Sequence, residues 1–311
     1  MYDLSICIVN WNTVDLLRDC LDSIFKQKWK ISIEVIVVDN DSSDSSLEMV
    51  VREFPQVKII ANKKNVGFAR ANNQAIAQSN GKYILLLNSD TVVFPESLDV
   101  VVDFIDRHPE AGMVGCKLIN PDGSLQRSCW QGFPSLKSTI IDSFYLWRLF
   151  PRSTWVSRSE LPVEQLDCEL EVDHLLGAFM LVRREVIDSV GGMDESIFLF
   201  LEETEWCYRI KNNGWHIFYL PTAKVLHLGQ QSVHKNPERT LPELYRNQIW
   251  FYRKSENPTR MREFLLKLVI AVAAVIRFNL WVWRSLSVVQ RDKAFRMQRG
   301  YLEVLRQLHS F

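Results

Sequence analysis

The residues best suited to chemistry are acidic side chains that follow apolar runs. Asp90 ends the run YILLLNSD, and Glu203 lies in a block with three acids among four residues, directly after IFLFL. A single carboxylate acting together with substrate phosphates commonly holds Mg²⁺ or Mn²⁺. Crowded carboxylates raise one another's pKa, which suits a general base that removes a hydroxyl proton. These positions are therefore candidates for a metal site and a catalytic base.

Both features also have structural interpretations. Acids in the first turn of a helix are stabilised by the helix dipole by about 0.3–1 kcal/mol each, which would explain Glu202, Glu203 and Glu205 without catalysis. A lone histidine such as His227, at the end of the run AKVLH, is more often structural than a metal ligand. The residue types alone leave both alternatives open.

The elements that must position these residues alternate in type. The β-branched runs LSICIVN, ISIEVIVVD, VKIIAN and KYILLLN are each followed by a helical pattern, at residues 12–25, 42–54, 66–78 and 95–107. Strand followed by amphipathic helix is the pattern of a βα unit. Near-continuous apolar strands predict a mostly parallel sheet with helices on both faces, and thus an α/β fold.

Polar clusters follow three of these strands, at residues 10–12, 39–40 and 88–90. In such sheets, ligands bind beyond the carboxyl ends of the strands. Asn and Asp also favour turns and helix N-caps, which is the alternative for any one cluster. Three clusters at one edge favour a binding site.

From about Met113 to Pro162 the regularity fails, with PDG, GFP and the aromatic stretch IIDSFYLWRLF. We expect this segment to pass over the sheet and line a substrate cleft. A second regular block follows, through VDHLLGAFMLVRREV, FLFLEETEWCYRIKNNGW and IFYLPTAKVLHL.

Residues 261–311 are basic, with nine Lys or Arg and three acids. The run FLLKLVIAVAAVIRFNLWVW has about the length of a bilayer-spanning helix. Lys267 and Arg277 interrupt it, and each costs about 2.5–3.5 kcal/mol at a helix centre. We expect a helix in the plane of an anionic membrane surface, with a buried helical hairpin as the alternative.

The bulk composition is that of an ordinary globular protein: 311 residues, 47% hydrophobic and 24% charged, with equal numbers of basic and acidic residues. This balance argues against a nucleic-acid partner. Six cysteines without CxxC spacing, and an N-terminus MYDLSICIVN without a signal-peptide pattern, predict a reduced, cytoplasmic chain.

Together these pieces resemble the family 2 glycosyltransferases with the GT-A fold, in particular the rhamnosyltransferase-like branch of bacterial surface polysaccharide synthesis. The resemblance covers roughly residues 4–254. The matching motifs, in order, are IVNWN, VVDNDSSDSS, NVGFARANN, LLLNSD, GAFMLVRREV, GGMDE, FLFLEETEWCYR, GW and VLHLGQQS.

The resemblance implies roles for individual residues. Glu203 corresponds to the catalytic base, with Glu202 and Glu205 in support. Asp90 and His227 correspond to ligands of Mn²⁺ or Mg²⁺, although Asn88 stands where many relatives carry an aspartate. The donor-binding residues implied are Val9, Asn10, Asn12, Asp39, Asn40, Asn65, Gly67, Arg70, Asn88, Ser89, Gly177 and Ala178.

It also implies a domain organisation and an activity. Residues 1–258 form the GT-A domain, with a donor-binding part at about 1–112 and an acceptor and catalytic part at about 113–258, and residues 259–311 form the membrane-associating tail. The activity implied is inverting, metal-dependent transfer of a sugar to a hydroxyl of a polyprenyl-diphosphate-linked saccharide, in O-antigen-like or capsule-like synthesis. The first candidate for the donor is dTDP-rhamnose, which would supply rhamnose. RNQIWFYRK does not supply the QxxRW motif of processive synthases, so we expect one sugar per encounter, at the cytoplasmic face of the inner membrane.

Other classes fit less well. A dinucleotide-dependent oxidoreductase requires GxGxxG after the first strand, where this chain has VNWNTVD, and a nucleotidylyltransferase requires a glycine- and arginine-rich loop there. The non-enzymatic alternative is a degenerate transferase that binds a nucleotide sugar and scaffolds a polysaccharide assembly complex. Asn88 and the glutamate at position 203, where aspartate is commoner, motivate it.

Overall fold

The computed structural model describes residues 2–126, 129–150, 167–229, 236–287 and 290–311. The strands are β1 Tyr2–Asn10, β2 Ile33–Asp39, β3 Lys58–Ala61, β4 Gly81–Asn88, β5 Thr91–Val93, β6 Ala111–Ile119, β7 Trp130–Gln131, β8 Leu170–Glu171, β9 His174–Leu175, β10 Phe179–Arg183 and β11 His216–His227. The helices are α1 Val14–Phe25, α2 Ser46–Glu53, α3 Phe68–Gln78, α4 Ser97–Arg107, α5 Leu136–Ser143, α6 Leu146–Leu149, α7 Arg184–Val190, α8 Glu202–Asn212, α9 Pro237–Glu256, α10 Arg260–Arg284 and α11 Arg291–Gln307.

The described residues fall into two compact units. The sheet unit contains the described residues up to 132, those of 167–198 and those of 202–229. The helical unit contains those of 133–150, 199–201 and 236–311. The predicted boundary near residue 258 stays a prediction.

The sheet unit is organised around a mixed sheet, whose order in the described residues is β3-β2-β1-β4-β10-β6-β11-β5, with β8 paired to β11. Strands β3, β2, β1 and β4 run parallel to one another, whereas β10 is antiparallel to β4. Consecutive residues of β1 and β2 are buried, and since their side chains alternate between the two faces, both faces of the sheet are covered. The predicted α/β class is confirmed.

The helices between these strands bury the apolar stripes expected from their periodicity. In α1 the buried side chains are Leu17, Cys20, Leu21 and Ile24, which repeat at helical spacing. The predicted strand-helix alternation of the first hundred residues is therefore present.

One expectation about regularity is wrong. The sequence predicts that the regular strand and helix pattern ends at about Met113, but strand β6 continues to Ile119 with most of its residues buried. It pairs with β10 on one side and β11 on the other, and a partner strand that comes from distant sequence cannot be read from a local pattern. Residues 151–162 of the expected excursion lie outside the described residues.

The helical unit is formed largely by α9, α10 and α11. Tyr245, Ile249, Ile270 and Val304 are among the residues of its buried core. A Cβ atom at Gly300 would lie 2.6 Å from the carbonyl oxygen of Pro237, so α11 approaches α9 more closely than a larger residue would permit.

Among the described residues, α10 is the one helix long and apolar enough to cross a bilayer. Its most apolar 18-residue stretch has a mean hydropathy of 2.0, and 22% of that stretch is buried within the protein. Its two interior basic residues face the helical unit. Lys267 Nζ donates to the backbone oxygen of Phe311 at 2.7 Å, and Arg277 donates to the hydroxyl of Tyr245 at 2.6 Å.

Candidate active site

The polar residues that end β1 and β2 lie side by side, because the parallel register pairs Asn10 with Asp39. Asn10 Nδ2 donates to Asp39 Oδ1 at 3.0 Å and to Ser42 Oγ at 3.1 Å. The backbone N–H of Ser42 donates to the other carboxylate oxygen of Asp39. Asn10 is fully buried and Asp39 is 5% exposed, so this carboxylate is held in one orientation at the sheet edge.

The turn after β1 connects this pair to the end of β4. Asn12 has φ of 54°, a left-handed conformation that asparagine tolerates, and its side chain accepts the N–H of Ser43 at 2.7 Å. Thr13 Oγ1 donates to Asn10 Oδ1 at 2.6 Å and lies 3.0 Å from Ser89 Oγ.

The parallel register also pairs Val9 with Asn88. The three polar clusters predicted to converge, at the ends of β1, β2 and β4, therefore do lie at one edge of the sheet. That convergence is what the carboxyl ends of neighbouring parallel strands impose.

A second layer of amide contacts holds the start of α3. Asn40 Nδ2 donates to Asn65 Oδ1 at 3.0 Å, and Asn40 Oδ1 accepts the N–H of Val66 at 3.0 Å. Gly67 has φ of +89°, and a Cβ there would lie 2.9 Å from the carbonyl oxygen of Phe198. The motif NVGF thus requires its glycine for both backbone conformation and space.

Arg70 lies on the outer face of α3 rather than among these amides. Its side chain is 58% exposed, and its Nε is 3.7 Å from a carboxylate oxygen of Glu195. Asn73 anchors the same loop, because it donates to the carbonyl of Met193 and accepts the N–H of that residue. The GGMDE motif therefore packs on α3.

Gly177 and Ala178 connect the end of β4 to the acidic block. The N–H of Asn88 donates to the carbonyl of Ala178 at 3.1 Å. A Cβ placed on Gly177 would meet Phe68 at 3.6 Å and the Cβ of Glu203 at 3.9 Å, both ordinary contacts. The protein itself therefore has space for a methyl group beside Glu203.

Glu202 and Glu203 begin α8, and their environments differ. Burial raises the pKa of Glu202 well above its ordinary value, and the neighbouring Glu203 carboxylate raises it further. Glu202 is 4% exposed, and in the described part of the chain its Oε2 has no hydrogen-bond partner.

Burial also raises the pKa of Glu203, but the backbone N–H groups of Glu203 and Thr204 partly offset this by donating to its carboxylate. Glu203 also retains some exposed surface. The pKa values of both carboxyl groups are therefore raised, that of Glu202 more strongly, because burial disfavours each charge and two negative charges here are less favourable than one.

Glu205 makes a structural contact. It is fully buried, and both carboxylate oxygens accept from Arg209 Nε, at 2.7 and 2.9 Å. Arg209 also donates to the carbonyls of Val190 and Gly192. This ion pair joins α8 to the loop after α7.

Asp90 and His227 lie together, as expected of two ligands of one ion. Asp90 Oδ1 is 3.3 Å from His227 Nε2, and their side chains are 14% and 7% exposed. β11 pairs with β5, in the register that places His227 opposite Thr91, so two distant strands create this proximity.

The donor set fits a divalent cation. Gln126 Nε2 donates to the backbone oxygen of His227, which directs the amide oxygen of Gln126 to His227 Nδ1 at 2.8 Å. That contact requires a proton on Nδ1, so in the neutral ring the Nε2 lone pair faces the Asp90 carboxylate. A cation between two such acceptors would relieve their repulsion.

Two protein ligands leave most coordination positions to other donors. No cluster of three or more His, Cys, Asp or Glu side chains suited to a metal is found among the described residues. Substrate phosphates and water would supply the remaining oxygen ligands, which is how Mg²⁺ is usually bound.

Sequence reasoning missed Gln126, Thr13 and Phe68. Each acts through a contact with a residue far away in the chain, and the motif resemblance did not extend to Gln126. Residues 230–232, which end the predicted VLHLGQQS motif, lie outside the described residues.

The fold and this edge of the sheet define the class, a glycosyltransferase with the GT-A fold. The chain belongs to glycosyl transferase family 2, whose family model matches residues 5–191. The match ends before Glu203 and His227, so their assignment depends on the geometry given above and on the motif resemblance.

Curated relatives agree with the predicted branch. The chain is 30% identical over 277 residues to the N-acetylglucosaminyl-diphospho-decaprenol L-rhamnosyltransferase of Mycobacterium tuberculosis, covering 84% of this chain and 87% of that protein. It is 26% identical over 201 residues to rhamnosyltransferase WbbL of Escherichia coli, covering 62% and 72%. The resemblance to family 2 and its rhamnosyltransferase-like members is confirmed.

Solved structures share the fold at low identity. The mannosyltransferase PcManGT from Pyrobaculum calidifontis, in complex with GDP-Man and Mn²⁺, has a TM-score of 0.58 at 15% identity, covering 99% of this chain and 87% of that one. GalNAc-T7 with UDP, GalNAc and Mn²⁺ has a TM-score of 0.57 at 17% identity, covering 75% and 45%.

Proposed function

We propose that this protein transfers one sugar, with inversion, from a nucleotide-diphospho-sugar to a hydroxyl of a lipid-linked saccharide, with Glu203 as the base. The observation that carries the proposal is the position of Glu203. Glu203 retains some exposed surface, and burial raises its pKa. A Cβ placed on Gly177 would lie 3.9 Å from the Glu203 Cβ, and the next residue, Ala178, accepts the N–H of Asn88 at the end of β4.

The chemistry is a single displacement. The acceptor oxygen forms a bond to the anomeric carbon while the bond from that carbon to the phosphate oxygen breaks. The hydroxyl proton passes to the Glu203 carboxylate, and the nucleoside diphosphate leaves from the opposite side of the sugar. A base whose pKa lies near the working pH is the most effective in such a step.

The polar sheet edge supports donor binding. Asp39 is fixed by Asn10 and Ser42 and is proposed to accept from the nucleoside base or ribose. Gly177 presents backbone rather than a side chain beside Glu203, and the donor sugar is proposed to lie against this segment. The remaining donor-binding assignments, from Val9 to Ser89, are part of the same proposal, whereas exposed Arg70 would have to move away from Glu195 to reach the donor.

Asp90 and His227 would hold Mn²⁺ or Mg²⁺, assisted by Gln126, which fixes the ring of His227. When bound, the ion would neutralise charge on the diphosphate leaving group. Two solved structures with this fold contain Mn²⁺ together with GDP-Man or with UDP and GalNAc, which supports a divalent ion here without distinguishing the two metals.

The acceptor is proposed to be a polyprenyl-diphosphate-linked saccharide, in O-antigen-like or capsule-like synthesis. The Mycobacterium tuberculosis relative is an N-acetylglucosaminyl-diphospho-decaprenol L-rhamnosyltransferase, which supports this acceptor and supports dTDP-rhamnose as the first donor to test. We place the enzyme in the cytoplasm, peripherally on the inner membrane, with the exposed basic residues of 259–311, which do not include Lys267 and Arg277, against anionic lipid.

The test is a donor screen with Mn²⁺ or Mg²⁺, a panel of nucleotide sugars and a polyprenyl-linked acceptor. We expect turnover with one donor and an inverted anomeric configuration in the product by NMR. Glu203→Gln should lose about 10²–10⁴-fold in kcat, Asp90→Ala should lose metal-dependent activity, and the exposed control Glu110→Gln should match wild type. Donor binding without turnover across the panel would instead favour the scaffold alternative.

A further inference from the structure

The helical unit carries an exposed apolar stripe on α10. Met261, Leu265, Leu268, Val272, Val275 and Ile276 are each at least 40% exposed. Their spacing of three and four residues places them on one face of the helix, over a length of about 22 Å. The buried residues of α10, Leu266, Ile270, Ala273 and Ala274, lie on the other face.

The charged residues of α10 do not interrupt this stripe. Lys267 bonds to the Phe311 carbonyl and lies 3.2 Å from Glu263, while Arg277 bonds to Tyr245. Contact with lipid hydrocarbon requires an apolar helix face that carries no cation. α10 meets this requirement because its interior cations lie away from the stripe.

A pocket of about 360 Å³ opens beside the first turn of α10. Leu136, Ile140 and Tyr252 form its apolar walls, and Lys137, Arg262 and Glu256 contribute charged groups. Its volume lies in the lower part of the range of small-molecule sites, and its mainly apolar lining with few polar groups is typical of them.

The charge at the pocket favours an anion. Two basic residues and one acid leave it net positive. Within the described part of the chain, the Arg262 side chain has no hydrogen-bond or ion-pair partner, because its one hydrogen bond is from the backbone N–H to Thr259 Oγ1. A guanidinium with unused donors is well suited to phosphate.

The pocket and the stripe adjoin. Arg262 lies one residue after Met261 and three before Leu265, and residues three apart are neighbours on a helix surface. A molecule in this pocket would therefore have a phosphate group near Arg262 and a hydrocarbon chain continuous with the lipid in contact with the stripe.

We propose that this pocket binds the phosphate-bearing end of an isoprenoid lipid, and so docks the lipid carrier of the acceptor. The proposal rests on the proposed function for the choice of an isoprenoid over other chains. The shared chemistry, a phosphate joined to a hydrocarbon, is also that of membrane phospholipids, and the experiment separates the two.

The experiment measures binding of soluble amphiphiles to the full chain by isothermal titration calorimetry. The probes are farnesyl diphosphate, dodecyl diphosphate, which differs from it only in the hydrocarbon chain, and inorganic pyrophosphate. We expect farnesyl diphosphate to bind at least tenfold more tightly than either of the other two. Equal binding of dodecyl diphosphate would overturn the preference for an isoprenoid and leave a general lipid-phosphate site. Equal or tighter binding of pyrophosphate would overturn the pocket as a lipid site.

Variants locate the binding. Ile140→Trp should fill the pocket, Arg262→Gln should remove the cation, and both should weaken farnesyl diphosphate binding about tenfold or more. Arg260→Gln is the matched control, because this exposed arginine on the same turn does not line the pocket. Thermal unfolding confirms folding of each variant. Unchanged binding in folded Ile140→Trp and Arg262→Gln would overturn the proposal.

The two proposals can fail separately. Lipid binding is measured without a nucleotide sugar, so Glu203→Gln should bind farnesyl diphosphate as wild type does. Absence of glycosyl transfer together with normal lipid binding would overturn the proposed function alone. Transfer that is insensitive to Ile140→Trp and Arg262→Gln would count against the pocket alone.

Discussion

Gln126 and His227 are joined by two hydrogen bonds, each 2.8 Å long, although 101 positions separate them in the chain. One bond fixes the amide of Gln126 against the backbone, and the other fixes the imidazole ring. The ring is thereby held with Nε2 directed at Asp90. Outer contacts of this kind set the tautomer and orientation of a metal-binding histidine.

The first prediction concerns this contact. Gln126→Ala frees the His227 ring to rotate, so we expect Mn²⁺ affinity to fall about 10–100-fold. Calorimetric titration with Mn²⁺ measures this without turnover. Gln78→Ala, at an exposed position of α3, is the control. Unchanged Mn²⁺ affinity in folded Gln126→Ala would contradict the proposed role of Gln126 in orienting His227 as a metal ligand.

A pair of glycines gives the second prediction. Gly177→Ala meets only ordinary contacts, so its free energy of unfolding should stay within about 1 kcal/mol of wild type, while KM for the donor rises because the methyl group occupies the proposed sugar site.

Gly67→Ala should behave in the opposite way, since its positive φ and the clash with Phe198 would cost about 1–3 kcal/mol of stability. Urea unfolding and donor kinetics measure both variants. A normal donor KM for Gly177→Ala would show that the donor sugar does not bind beside Gly177.

The third prediction concerns pH and Glu202. Its pKa is raised on folding, so the folded state binds the proton more tightly, and stability falls as pH rises above the ordinary value of 4.5. Glu202→Gln should reduce this dependence by the slope of one group, at most about 1.4 kcal/mol per pH unit, and leave the part due to Glu203. Urea unfolding from pH 4.5 to 9 measures it, with Glu110→Gln as the control. The same slope in wild type and Glu202→Gln would contradict the raised pKa.

The fourth prediction separates Glu205 from the catalytic base. Glu205→Gln leaves the Arg209 guanidinium without its buried carboxylate, and breaking such a pair typically costs about 3 kcal/mol. Thermal and urea unfolding should therefore show a large loss of stability, with residual activity in the fraction that stays folded. Glu203→Gln should show the reverse, lost turnover with little change in unfolding. A stable, inactive Glu205→Gln would return Glu205 to the catalytic candidates.

Sequence periodicity was sufficient for the first hundred residues. There, each apolar run and each helical stripe is encoded locally, and the parallel register then requires Asn10, Asp39 and Asn88 to meet at one edge. By contrast, β6 beyond Met113 was missed, because its hydrogen bonds come from β10 and β11.

The sequence by itself determined the fold class and the family, since apolar spacing and ordered motifs are local properties of the chain. Only the tertiary structure decided which residues act together. It brings His227 to Asp90 and Gln126, and it turns Lys267 and Arg277 away from the exposed stripe of α10. The physical reason is that strand pairing and side-chain burial depend on partners distant in the chain, which no local pattern contains.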